Sequence, residues 1–245
     1  MKYPVTSHDS DKLFSYSLLS WWQTLRRIFW WIIIFVVIRS IYSYVPIHSY
    51  VFSFVIDWII FLIAVYLLTA SFIIADAAFR SSDLSLYHAL GKAFKVLGWV
   101  YAACGIIIAL IIAILFIAHV IVYSWLHLSY SYAAMAMILL AGIPIILVVM
   151  FFYLTIPLIA VYQQPLAQVF SQSLIYARSN IFFLVMIYIG FLIIFFASFT
   201  HTLHGQWLLG HHLMELTEFI IIAAFMPVMI NMTLLLLNNE RVINP

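Results

Sequence analysis

In a chain of 245 residues, 67% are apolar and 7% charged, with a mean hydropathy of +1.18, which is more apolar surface than a water-soluble domain can hide. The class is therefore a polytopic helical membrane protein, because the apolar runs are continuous and not the short alternating segments of a barrel. A net charge of +2 offers no basic footprint for nucleic acid, and the single Cys104 excludes an internal disulfide.

Residues 1–15 are polar and read as a tail. Residues 16–237 form one membrane domain, and 238–245 a second polar tail. No small-residue cleavage site follows the first apolar run, so that run reads as a retained helix. Trp21, Trp22, Trp30 and Trp31 bracket Arg26-Arg27, the composition of an aromatic belt at headgroup level. Hydropathy predicts six transmembrane helices, at about 28–45, 51–75, 96–122, 132–162, 181–199 and 217–237. Pro46 and His48 mark a tight turn between the first two. Between Arg80 and Asp83, Ser81, Ser82 or Asp83 can cap a new helix. Leu86, Leu90, Phe94 and Leu97 then share a helical face, with His88, Lys92 and Lys95 elsewhere, as in an interfacial amphipathic segment. Pro144 and Pro157 predict kinks in the fourth helix, and Pro227 lies inside the sixth.

Numbering the helix ends alternately puts Lys2, Lys12, Arg26, Arg27, Arg80, Lys92, Lys95, Arg178 and Arg241 on one side. Only Arg39 approaches the other. By the positive-inside rule both termini are cytoplasmic, and the connections at 46–50, 123–131 and 200–216 are outside. Amphipathic segments precede helices 1, 3 and 5: Ser17/Trp21/Leu25, Leu86/Leu90/Phe94 and Leu166/Phe170/Leu174 align at four-residue spacing. Three antiparallel hairpins of like topology suggest a parallel threefold repeat.

Residues 153–196 carry Pro157, the amide link Gln163-Gln164, Ser173 and Asn180 ahead of an apolar helix. This stretch, about a fifth of the chain, resembles the YciC-type bacterial inner-membrane proteins. It is also similar to membrane domains found beside some glycerophosphodiester phosphodiesterases. The resemblance implies a six-helix protein of the bacterial cytoplasmic membrane and supplies no chemistry.

Two constellations are candidates for more than packing. Arg39 and Asp57 lie within apolar spans, on the order of 10–14 Å below the outer surface at 1.5 Å rise per residue. Equal depth on adjacent helices reads as an intramembrane ion pair, either a pin between helices or part of an ion path. His201, His204, His211, His212, Glu215 and Glu218 crowd the last outer connection. His201 and His204 share a face if helix 5 continues, and His211, Glu215 and Glu218 share one at the start of helix 6. Imidazole with carboxylate suits a divalent metal, the one cofactor this sequence suggests. Alternatively the histidines replace Lys and Arg as outside anchors, and the glutamates complement a helix N-terminus. Met226, Met229 and Met232 read as core filling, and the sequon at Asn231 is discounted because it lies in an apolar helix.

No phosphate loop, HExxH, CxxC or nucleophile elbow occurs. The leading expectation is a non-catalytic multi-pass inner-membrane protein of accessory, assembly or membrane-homeostasis type. It would contact the lipid bilayer and a membrane-protein partner or another copy of itself. The alternatives are a small-solute or ion transporter using Arg39 and Asp57, and an outward-facing metal-binding protein or metal-dependent hydrolase using the His201–Glu218 cluster.

Overall fold

The computed structural model describes residues 10–44, 50–80, 82, 84–125, 130–179, 181, 185, 189 and 208–243. Within them every regular element is helical: α1 (Ser10–Leu19), α2 (Trp21–Tyr44), α3 (Tyr50–Phe79), α4 (Leu86–His119), α5 (Tyr130–Met137), α6 (Ile143–Phe152), α7 (Thr155–Tyr162), α8 (Leu166–Ser179) and α9 (Leu208–Ile243). Five stretches among the described residues are long and apolar enough to cross a membrane: Trp21–Ile38, Phe54–Phe79, Leu86–Ser124, Leu139–Tyr162 and Ile220–Leu237. Of the fifth expected span, 181–199, only Ile181, Val185 and Ile189 are described.

Several helices run past the limits that hydropathy sets. The first span starts at Trp21 and carries Arg26-Arg27 inside the helix. The presumed interfacial segment at Leu86 is the first part of α4, with Lys92 and Lys95 in a helix that continues unbroken to His119. Lys and Arg are good helix formers, and their long stems let the charge reach headgroups without a break in the backbone. The cap is one that the sequence reading passed over: Ser85 is extended (φ −68, ψ 153), and its hydroxyl accepts from the His88 N–H at 3.4 Å. Helix α9 likewise begins at Leu208, within what reads as a linker.

The prolines act as expected in the span 132–162. A π-helical segment, Ile138–Gly142, runs directly into α6, and its wider turn lies just before Pro144, which cannot donate to the preceding carbonyls. A turn at Tyr153 and Leu154 separates α6 from α7, whose first turn holds Pro157. Gln163 then ends α7 in the left-handed region (φ 50), its N–H bonded to the Ile159 carbonyl at 3.1 Å. That conformation costs a non-glycine residue about 1 kcal/mol. It reverses the chain, so that α8 folds back on α7 and α6. There Ser173 Oγ donates to the Phe151 carbonyl at 2.6 Å, and Phe170 meets Phe152 edge to face.

Helix α9 is the hub. It packs against α1, α2 and α3, and 61% of its spanning window is buried. Helix α4 is peripheral, with 11% of its window buried. Its first half packs on α3, α6 and α7, burying Ala89, Ala93, Val100 and Ala103.

Candidate functional site

The chain's first and last helices meet at a buried polar cluster. Ser17, Ser20 and Thr24 follow an i, i+3, i+7 spacing across the α1–α2 junction and lie on one face, each at most 2% exposed. They surround Asn231 of α9, which is wholly buried. Thr24 Oγ1 donates to Asn231 Oδ1 at 2.7 Å. Asn231 Nδ2 donates to Ser20 Oγ at 2.9 Å and to the Ser17 carbonyl at 3.2 Å. Two further bonds attach α9. Trp21 Nε1 donates to the Ala224 carbonyl at 2.9 Å, next to the Ala223 carbonyl that Pro227 leaves without an N–H. Tyr153 OH donates to Thr233 Oγ1 at 2.8 Å, since the threonine's own proton goes to the Met229 carbonyl.

Two clefts lie at the Lys/Arg-rich end of the bundle. One, of about 440 Å³, is lined by Trp22, Gln23, Arg26, Arg27 and Trp30 of α2, by Ile74 of α3, and by Leu84 and Leu86 before and at the start of α4. Trp22, Arg26 and Trp30 are at i, i+4 and i+8 and share one face of α2, where all three are exposed. Arg27 Nη1 reaches the Ser82 carbonyl at 3.4 Å. The second cleft, of about 590 Å³, is lined by Lys92, Lys95 and Trp99 of α4 together with Ile159, Gln163, Gln164 and Pro165. A small apolar cavity of about 190 Å³ between α2, α3 and α9 includes Trp31, Phe35 and Met226.

Farther along α4, Gly98, Ala102, Gly105, Ala109 and Ala113 (i, i+4, i+7, i+11, i+15) all face outward and are exposed. A Cβ built on Gly91, Gly98 or Gly105 meets no described atom within 4 Å. These glycines are therefore not needed by the packing described here.

No family model, curated protein or solved structure matches the chain.

The residues singled out from sequence lie largely apart from these features. Arg39 is in α2 and Asp57 in α3, two helices that pack together. Asp57 is exposed, while the Arg39 side chain lies outside the described residues, and so does any contact between the two. His201 and His204 also lie outside them. His211, His212, Glu215 and Glu218 belong to α9, whose helical backbone puts His211, Glu215 and Glu218 at i, i+4, i+7 spacing; their side chains are not described. Among the described residues no group of three His, Cys, Asp or Glu side chains could hold a metal ion. Met229 and Met232 are buried in the core and Met226 packs against it, as core filling requires.

Sequence reasoning missed Asn231 as a hub. It had noticed Asn231 only as a discounted sequon. The signal was there, because an amide inside an apolar span must find a partner. The hydroxyls of Ser20 and Thr24, four residues apart, are the matching half, and Ser17 adds its backbone carbonyl.

Proposed function

We propose that this chain is a non-catalytic multi-pass inner-membrane protein of accessory, assembly or membrane-homeostasis type that acts by lateral contact with another membrane protein or a second copy of itself. The observation that carries this reading is the outward face of α4, where Gly98, Ala102, Gly105, Ala109 and Ala113 leave the backbone accessible along four helical turns. Lipid tails are as apolar as leucine, so helices associate in a bilayer chiefly by close packing, and small residues permit it. The buried polar side chains support the same reading. Asn231, Thr24, Thr233 and Ser173 spend their hydrogen bonds on joining helices.

In this reading the chain has six spans in three antiparallel hairpins, the threefold repeat of amphipathic segments, and both termini in the cytoplasm of a bacterium. These features agree with the YciC-type resemblance. Reconstituted protein would run as an assembly, homomeric or with a co-purifying membrane protein. Gly98→Leu with Gly105→Leu would break it up while leaving the melting temperature within a degree or two, since a Cβ at either position meets no described atom within 4 Å. Native mass spectrometry from nanodiscs provides the measurement. A monomer without partner, or an assembly indifferent to both substitutions, would refute the lateral-contact reading.

A further inference from the structure

Helix α4 carries two lysines, Lys92 and Lys95, one turn apart and both exposed. Like charges at that spacing repel each other, a small cost that an anion between them would offset. Among the described residues neither ammonium is paired with a carboxylate, and Asp76 is held by Arg80 within its own helix at 2.7 Å. Both lysines line the cleft of about 590 Å³ between α4 and the link from α7 to α8, a volume typical of ligand sites. The facing wall consists of Ile159, the amides Gln163 and Gln164, and Pro165. It is polar but uncharged, so it leaves the two positive charges uncompensated. The wall is also fixed in place. Gln163 closes α7 in its left-handed conformation, and the Pro165 carbonyl accepts from the Gln168 and Val169 N–H groups at 2.9 and 3.1 Å.

The depth of the cleft follows from the length of α4. Its stretch Val100–His119 is apolar and, at 1.5 Å per residue, about 30 Å long, so it crosses a hydrocarbon core by itself. Trp99, 60% exposed and on the cleft, is then the boundary residue, where indoles concentrate. Lys95 and Lys92 stand about 6 and 10 Å beyond it along the helix, at the level of the phosphates. A hydrated free phosphate gains nothing from Trp99 and Ile159. A phospholipid does, because its glycerol and upper chains adjoin the phosphate. Basic pockets between transmembrane helices at this level suit anionic headgroups.

We infer that this cleft binds the phosphodiester of an anionic phospholipid, with Lys92 and Lys95 on the phosphate and Trp99 and Ile159 against the glycerol and upper acyl region. The site goes beyond the lateral-contact reading and stands or falls separately, because Gly98 and Gly105 do not line it.

Thermal unfolding of the full-length protein in neutral detergent tests it, with phosphatidylglycerol, phosphatidylcholine or inorganic phosphate added. Phosphatidylglycerol should raise the melting temperature saturably, and the other two at equal concentration should not. Lys92→Gln with Lys95→Gln should weaken the apparent affinity by about tenfold or more, as expected for loss of charge-assisted bonds. Lys92→Gln alone, at an exposed position, should fold normally and still weaken it, whereas Lys92→Arg with Lys95→Arg should retain it. Arg26→Gln with Arg178→Gln, which removes two positive charges elsewhere, should leave it unchanged. An equal shift with phosphatidylcholine overturns the charge recognition, and a shift reproduced by inorganic phosphate overturns the lipid. Affinity that falls equally in the arginine variant reduces the effect to general surface charge and overturns the site. So does affinity that survives loss of both lysines while the lipid-free melting temperature drops, because the ammoniums would then serve only the carbonyl end of α7.

Discussion

Asn231 illustrates how a membrane interior treats a polar side chain. Water cannot satisfy the amide at that depth, so the fold must, and three hydrogen bonds from one side chain join α9 to α1 and α2. In membrane proteins such bonds average about 0.6 kcal/mol, so Asn231→Leu should cost roughly 2 kcal/mol. Thr24→Val, which keeps the shape and loses one bond, should cost about 0.6 kcal/mol. Unfolding in sodium dodecyl sulfate would read both. Because the two residues share a bond, the double variant should cost less than the sum of the singles. Strict additivity would show that the Thr24–Asn231 bond contributes nothing. The cluster was only half legible in the sequence. Both ends were visible as polar residues where apolar ones were expected, but they lie 207 positions apart and nothing local pairs them.

At the scale of elements, the order and rough position of the five described spans could be read from hydropathy, and so could the breaks near Pro144 and Pro157. Helix ends could not. Arg26-Arg27 and Lys92/Lys95 look like boundaries on a hydropathy scale, which counts charge and ignores the reach of a long stem. Helix α4, at 34 residues, is about 51 Å long, well beyond a hydrocarbon core of about 30 Å. Its first turns therefore extend into the headgroup zone as a continuation of the span. Pro227 poses a different problem, since a proline inside a central helix leaves the carbonyl four residues back, that of Ala223, without its N–H partner. The Trp21 indole bonds the next carbonyl, Ala224, so it ties α2 to α9 beside that gap and does not fill it. Trp21→Phe should then cost about 1 kcal/mol, and about the same in a Pro227→Ala background. A distinctly smaller loss in that background would show that the indole does compensate for the proline.

For the whole molecule, the decisive quantity is the sidedness of its charge. With six spans, nine of the ten Lys and Arg residues would fall at one set of helix ends. The fold is consistent with that bookkeeping wherever both partners are described. Arg26 and Arg27 line one cleft with Leu84 and Leu86, and Lys92 and Lys95 line another with Gln163 and Gln164. The start of α2, the end of α3, the start of α4 and the end of α7 therefore gather at one end of the bundle. Cytoplasmic loops hold the excess of Lys and Arg, so that end should face the cytoplasm. The prediction is tested by replacing Cys104, the only cysteine, with alanine and placing single cysteines at Ser49, Ser129, Gln206 and Ser82. In intact cells an impermeant thiol reagent should label the first three positions and spare Ser82, and permeabilised cells should label all four. The Gln206 result carries the most weight, because it lies between the fifth expected span and α9. If only five helices crossed, with residues 181–199 lying in the interface, Gln206 would share the side of Ser82. Labelling at Ser49 and Ser129 without Gln206 would thus reduce the protein to five spans and move its C-terminus outside. Labelling at Ser82 in intact cells would invert the orientation altogether.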